Sequence, residues 1–104
     1  MKSISIVVPA YNEAAKLAKT LKAIKTVPGI ESIIVVNDGS SDNTAGIARK
    51  EGVRVIDLPA NLGKGGAMNA ALGTVNTDII VFLDADLAES AAEVAKIIKP
   101  VLNG

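Results

Sequence analysis

Four short runs rich in β-branched residues alternate with segments of helical spacing, and this order limits the folds that the chain can adopt. The runs lie too far apart in the sequence to pair as hairpins. Strands that alternate with helices pack as a parallel sheet with right-handed crossovers and with helices on both faces. The sequence therefore predicts an α/β fold of four βα units. The runs are residues 4–8, 33–36, 53–58 and 79–83.

Apolar spacing and capping residues predict where each helix begins and ends. Asn12 is predicted to cap the first helix, and Pro28 with Gly29 ends it. Ser90 and Glu93 are predicted to form a capping box for the fourth helix, which Pro100 should bend or end. The second helix is expected to run from a cap at Ser41 or Asp42 to about Lys50, and the third from Gly65 to Leu72, closed by Gly73.

The four strands differ in their expected burial. Residues 33–36 and 79–83 do not alternate with polar residues, which predicts strands covered on both faces. Residues 53–58 include Arg54 and Asp57 and are predicted to form an edge strand. An open edge on a strand as apolar as 79–83 is unfavourable. We therefore expect further strands outside the 104 residues, or a second copy of the chain, to cover that edge.

Composition narrows the possible chemistry. A chain of 104 residues suffices for a single domain spanning 1–104. Eleven Lys and Arg residues balance eleven Asp and Glu residues, so no excess charge predicts a nucleic-acid partner. The chain has no His and no Cys, which leaves carboxylates, Lys, Arg, Tyr11 and hydroxyls for chemistry. It has neither an apolar run of membrane-spanning length nor a signal-peptide pattern, so a cytoplasmic location is expected.

Polar residues follow all four predicted strands, and the carboxyl ends of parallel strands are where such sheets bind ligands. Asp84 and Asp86 come two residues apart after the fourth strand, so both carboxylates project to one side of an extended chain. Such a pair suits Mg²⁺ or Mn²⁺, which take further ligands from water and substrate phosphates. A solvated turn is the alternative, and the position at a strand end favours the metal.

Glycines and a lysine at 63–66 precede the third helix and predict a phosphate cradle. Leu58 and Gly65 depart from the P-loop pattern, and Met68 departs from the dinucleotide fingerprint. A Gly-rich turn before a helix is equally compatible with the glycines, and the charge of Lys64 favours an anion site. Asp38 could accept hydrogen bonds from a ribose or a base, or belong to a capping turn. Glu13 could serve the site or the dipole of the first helix.

Four segments of the chain carry a resemblance when they are taken together. They are IVVPAYNE at 6–13, VNDGSSDNT at 36–44, NLGKGGA at 61–67 and LDADL at 83–87. In this order and spacing they resemble the family 2 glycosyltransferases of the GT-A fold. The resemblance covers nearly the whole chain and implies a Rossmann-like nucleotide-binding half with strand order 3-2-1-4. The Gly-Lys-Gly-Gly and Asp-Ala-Asp-Leu variants are similar to members that act on polyprenyl phosphate or phosphoglycerate.

The resemblance implies a nucleoside diphosphate sugar as donor and Mg²⁺ or Mn²⁺ as cofactor. It assigns Asp86 as the metal ligand and places Asp84 near the ribose or the metal. Gly63 and Lys64 would line the nucleotide pocket. The residues implied for the base and ribose are Pro9, Ala10, Tyr11, Glu13 and Asp38.

Members of this family continue into a second half that supplies acceptor contacts and usually the catalytic base. The 104 residues are therefore expected to form a donor-binding half that is inactive alone, and we assign no catalytic residue. The alternative is a noncatalytic or engineered module that binds nucleotide and self-associates as a homodimer through the fourth strand. A nucleotidyltransferase is disfavoured, because residues 9–13 contain neither Gly nor Arg.

Overall fold

One parallel sheet forms the centre of the computed structural model, which describes residues 2–103. Within that range the strands pair in the order β3-β2-β1-β4, all parallel. The predicted α/β fold is confirmed, and so is the strand order that the family resemblance implied. The strands are β1 (Ile4–Ala10), β2 (Ser32–Asn37), β3 (Arg54–Asp57) and β4 (Ile79–Phe82).

Helices cover both faces of the sheet, as predicted. The core of one face contains side chains from α1, α2 and the last helical segment, and the core of the other contains side chains from α3. No helix within residues 2–103 has the length and apolar character needed to cross a membrane. The helices are α1 (Leu17–Lys25), α2 (Thr44–Lys50), α3 (Gly63–Leu72), a 3₁₀ helix (Ala88–Val94) and α4 (Ala95–Asn103), into which the 3₁₀ helix leads directly.

β1 is buried on both sides because it lies between β2 and β4 and beneath helices on each face. Alternate residues point to opposite faces, so Ile4, Ile6 and Val8 enter the core beneath α1, whereas Val7 enters the core beneath α3. This deep placement fixes the carboxyl end of β1, from which Pro9 and Ala10 reach the candidate site.

The two outer strands, β3 and β4, match their predicted burial only in part. β3 is an edge strand, and its Arg54 and Asp57 are exposed, as predicted. β4 is less covered than its composition indicated, because residues 79–82 are only half-buried. Its side away from β1 has no partner strand in the part of the chain that the structure describes.

The expected cap at Asn12 is wrong. α1 begins only at Leu17, and Asn12 has a φ of 54°, a left-handed conformation that Asn tolerates better than most residues. Its side-chain oxygen accepts hydrogen bonds from the amides of Ser41 (2.8 Å) and Asp42 (3.3 Å). Loop amides need such acceptors, so Asn12 connects two loops instead of starting a helix.

The second and third helices are close to their predicted bounds. α2 begins at Thr44 and ends at Lys50. The N-cap position of α2 is Asn43, without a side-chain cap hydrogen bond, so the cap predicted at Ser41 or Asp42 is wrong. Asp42 lies one residue earlier, where its carboxylate accepts a hydrogen bond from the Thr44 amide at 3.0 Å and forms an Asx turn that leads into the helix. α3 begins at Gly63, two residues earlier than expected, and ends at Leu72.

The predicted capping box at Ser90 and Glu93 is also wrong. Ser90 lies inside the 3₁₀ helix, and its hydroxyl donates to the Leu87 carbonyl at 2.5 Å. α4 continues past Pro100 to Asn103, so Pro100 does not end it. Because Pro100 and Lys96 are exposed, water can bond the Lys96 carbonyl that loses its helical donor.

Candidate functional site

A cavity of about 380 Å³ opens at the carboxyl ends of the strands. It gathers residues from the loops after β1, β2 and β4 and from the first turn of α3. Every residue that the sequence assigned to nucleotide or metal lines this cavity except Gly63. The lining residues are Pro9, Ala10, Tyr11, Glu13, Asp38, Lys64, Asp84, Ala85 and Asp86.

Reciprocal hydrogen bonds join the loop after β1 to the loop after β2. The Asn12 amide donates to the Ser40 hydroxyl at 2.9 Å, while the Asn12 side chain accepts from the Ser41 amide. The Glu13 amide donates to the Thr44 hydroxyl at 3.1 Å. These contacts hold Tyr11 and Glu13 beside the cavity, although Tyr11 is half exposed.

A close backbone approach brings the loop after β3 against the loop after β2. Gly39 has a φ of +72°, and a Cβ atom there would lie 2.5 Å from the Asn61 nitrogen and 2.6 Å from the Ala60 carbonyl carbon. Only glycine fits this conformation without strain. The glycine therefore allows the segment that leads to Lys64 to pack beside Asp38.

Asp38 is buried, with 4% of its surface exposed. One carboxylate oxygen accepts a hydrogen bond from the Leu62 amide at 2.7 Å. Asp38 thus fixes the start of α3 and also lines the cavity. A buried carboxylate needs such partners, and this structural contact accompanies the predicted role toward a ribose or a base.

Lys64 and Asp84 form an ion pair across the cavity mouth, with Nζ 2.5 Å from Oδ1. The hydrogen bond to Asp84 raises the pKa of Lys64, and the charges of Asp84 and Asp86 act in the same direction. Both partners are more than half exposed. Lys64 is therefore cationic at neutral pH, and a bound anion could reach the same ammonium group.

The donor set at Asp84 and Asp86 suits a hard divalent cation that keeps exchangeable ligands. Both side chains are exposed and line one cavity. Among residues 2–103, no group of three or more His, Cys, Asp or Glu side chains could enclose a metal ion. Mg²⁺ and Mn²⁺ bind by one or two carboxylates together with substrate phosphates, so two carboxylates fit a site that a diphosphate completes.

Two features of the site differ from the sequence-based picture. Gly63 does not line the cavity, and its amide donates to the Asn61 side chain at 3.0 Å, so that amide already has an acceptor. The sequence predicts Asn12 only as a helix cap, whereas its hydrogen bonds fix the loop after β1. The tolerance of Asn for left-handed backbone was the sequence signal that could have indicated this conformation.

The parallel sheet of order β3-β2-β1-β4, with a polar cavity at its carboxyl ends, defines a Rossmann-like α/β domain of the GT-A type. Within that class the chain belongs to glycosyl transferase family 2. The model of this family, described as "Glycosyl transferase family 2", matches residues 5–104. The family that the four sequence segments suggested is confirmed.

Two curated relatives show how much of a longer protein the chain resembles. It is 42% identical over 102 residues to an uncharacterised protein of Methanocaldococcus jannaschii, covering 95% of this chain and 42% of that protein. It is 36% identical over 114 residues to undecaprenyl-phosphate 4-deoxy-4-formamido-L-arabinose transferase of Serratia proteamaculans, covering 100% of this chain and 35% of the transferase. The chain therefore spans well under half the length of these relatives.

A solved glycosyltransferase has the same backbone arrangement. The chain superposes with a TM-score of 0.86 and 34% identity on glucosyl-3-phosphoglycerate synthase from Mycobacterium tuberculosis, covering 99% of this chain and 40% of the synthase. That enzyme was crystallised with Mn²⁺, uridine diphosphate and glucosyl-3-phosphoglycerate. Another crystal structure of the synthase contains Mg²⁺ and uridine diphosphate.

Proposed function

We propose that this chain is the donor-binding part of a glycosyltransferase that transfers a sugar from a nucleoside diphosphate sugar with the help of a divalent metal. One observation carries the proposal. A single cavity gathers all but one of the residues that the family resemblance assigns to the donor. The complexes of the mycobacterial synthase with uridine diphosphate and Mn²⁺ support the same ligand class.

The position of each residue in the cavity suggests which part of the donor it would contact. Tyr11 presents a half-exposed aromatic ring that can stack on a base. Asp38 is buried, and the carboxylate oxygen not bonded to Leu62 can accept from a ribose hydroxyl or a base N–H. Lys64 carries a positive charge at the mouth and can bind the diphosphate. The donor would therefore lie across the ends of β1 and β2 with its phosphates near α3 and β4.

Asp86 and Asp84 would hold the metal on the β4 side of the cavity. When bound there, Mg²⁺ or Mn²⁺ would offset the negative charge that develops on the departing diphosphate. Lys64 would act on the same group from the α3 side, because its Nζ reaches Asp84. The carboxylates and the lysine together fit a leaving group that carries more than one negative charge.

Metal-dependent binding of nucleoside diphosphates is the first expected result. Calorimetric titration of uridine diphosphate or guanosine diphosphate should show affinity at least about tenfold higher with Mn²⁺ or Mg²⁺ than without, a difference of roughly 1.4 kcal/mol. Uridine monophosphate is the matched control, because it lacks the second phosphate and should gain much less from the metal. Equal affinities with and without metal would contradict the assigned site.

Self-association through β4 is a second expectation for a polypeptide of these 104 residues. A two-fold partner could pair β4 antiparallel with its own copy, and α4 would help to cover the join. The Ile79 amide donates to the Ser3 carbonyl, and the Leu83 amide donates to the Val7 carbonyl. Amides of alternate residues point to opposite edges, so those of Ile80 and Phe82 point to the open edge.

The orientation of these amides selects the test. Ile80→Pro removes an outward donor and should convert a dimer to a monomer in sedimentation velocity, with the β1–β4 pairing intact. Val81→Pro is the comparison, because its amide points toward β1 and the change should lower thermal stability. A monodisperse wild-type monomer at high concentration would contradict the homodimer.

The cytoplasmic location expected from the sequence remains a prediction as well.

A further inference from the structure

Thr20 is a fully buried polar residue on the apolar face of α1, with no exposed surface. Its neighbours on that face are Leu17, Leu21 and Ile24, which are buried as well. A hydroxyl in such surroundings needs hydrogen-bond partners. Its partners lie in the turn that carries Asp84 and Asp86, far from Thr20 in the sequence.

The hydroxyl bonds to both ends of that turn. Thr20 Oγ1 donates to the Ala85 carbonyl at 2.6 Å and accepts from the Ala88 amide at 2.9 Å. A hydroxyl has one donor and two acceptor lone pairs, so these two bonds can exist together. The Lys16 carbonyl lies farther away, at 3.1 Å. The contact to Ala85 therefore takes precedence over the local bond within α1.

The turn contains features that require such support. Ala85 lies between the two candidate metal ligands, and its own side chain is buried. Ala88 has a φ of 51°, which is unfavourable for a residue with a Cβ atom and persists only where the surroundings hold it. By contrast, Asp84 and Asp86 are exposed and line an open cavity. The fixed backbone between them is what can orient them.

We propose that Thr20 is a positioning residue, which sets the backbone of residues 85–88 and thereby the geometry that Asp84 and Asp86 present to a divalent metal. This inference rests on the proposed function, because it concerns the same metal site. It adds a residue of α1, outside the four segments that carry the family resemblance. The hydroxyl acts through hydrogen bonds to the backbone and does not touch the ligand.

Two pairs of proteins differ only in the hydroxyl at this position. Thr20→Val has nearly the shape of the wild type, and Thr20→Ser differs from Thr20→Ala by one oxygen atom. The measurement is the Mn²⁺ concentration that half-saturates uridine diphosphate binding. We expect it to rise by about 10- to 100-fold in Thr20→Val, the usual range for losing a residue that orients metal ligands. The metal-free affinity for uridine diphosphate should change by less than about twofold, since the nucleotide contacts remain.

Thr20→Ser should stay near the wild type, and Thr20→Ala should resemble Thr20→Val. The second pair decides the question if the valine variant does not fold. Ser5→Ala is the control for lost stability. Ser5 is as buried as Thr20 and bonds to Ser32 at 2.6 Å and Thr77 at 2.8 Å, but at the opposite end of the sheet. The Ser5→Ala substitution should lower the unfolding temperature without changing the Mn²⁺ concentration that half-saturates uridine diphosphate binding.

The outcomes separate this inference from the function on which it rests. If the wild type binds uridine diphosphate with the same affinity with and without Mn²⁺, the proposed function fails and the role of Thr20 fails with it. The wild type could instead require Mn²⁺, while Thr20→Val and Thr20→Ala reach half-saturation at the same Mn²⁺ concentration as the wild type. In that case only the role of Thr20 is overturned. A matching rise in Ser5→Ala would also overturn it, because loss of stability alone would then explain the effect.

Discussion

Replacing Asp86 with alanine should remove the metal-dependent part of nucleotide binding. With Mn²⁺ present, the affinity for uridine diphosphate should fall to the metal-free value, so the whole gain of at least about tenfold, roughly 1.4 kcal/mol, should be lost. Asp86 is exposed and lines the cavity, so the change leaves no buried group without a partner. The unfolding temperature should therefore stay close to that of the wild type.

The sign of the effect should reverse when the metal is absent. Without Mn²⁺, Asp84 and Asp86 face the diphosphate with like charge, and removing one of them reduces the repulsion. Asp86→Ala should then bind uridine diphosphate slightly better than the wild type. A misfolded variant would lose affinity under both conditions, so the reversal identifies a metal ligand.

Glu89→Ala is the matched control for this experiment. Glu89 is an exposed acidic residue three positions away, it lies outside the cavity lining, and its ion pair with Lys19 spans 3.9 Å. Removing it changes the net charge by the same amount. Equal losses in Glu89→Ala and Asp86→Ala would mean that the metal responds to the overall charge of this face, and the assignment of Asp86 would be abandoned.

Features that depend on local sequence were predictable. The four apolar runs became the four strands, because runs of β-branched residues bounded by polar turns fit a buried parallel sheet. Residues that follow parallel strands converge by geometry, so the sequence alone predicts that Tyr11, Asp38 and Asp84 lie at one edge of the sheet. The strand order came from the family resemblance and not from the periodicity.

Features that depend on distant contacts were not predictable. Asn12 looks like a helix cap, but its acceptor serves amides 29 and 30 positions away. Ser90 and Glu93 match the pattern of a capping box. The helical segment nevertheless begins at Ala88, whose amide donates to the Thr20 hydroxyl, 68 positions away. Local patterns compete with tertiary partners, and here the tertiary partners determined where the helical segments begin.

A polypeptide of these 104 residues should transfer no sugar to any acceptor. Transfer to a hydroxyl needs a positioned base, and losing general base catalysis alone costs about 10²- to 10⁴-fold in rate. The carboxylates that line the cavity already have partners or proposed roles. Asp38 bonds to the Leu62 amide, Asp84 pairs with Lys64, Asp86 is assigned to the metal, and the family resemblance assigns Glu13 to the nucleotide. No His or Cys is present to substitute.

The assay should follow release of uridine diphosphate from uridine diphosphate glucose with Mn²⁺, using phosphoglycerate and a polyprenyl phosphate as separate acceptors. The mycobacterial glucosyl-3-phosphoglycerate synthase, run in parallel, shows that the conditions support transfer. We expect no product and negligible donor hydrolysis from the 104 residues, although the same sample binds uridine diphosphate with Mn²⁺. Sustained turnover that requires Mn²⁺ and disappears in Asp86→Ala would show that these residues contain a complete catalytic apparatus. In that case Glu13 would be the carboxylate to test first as the base, because it lines the cavity and its assignment to the nucleotide rests on the family resemblance.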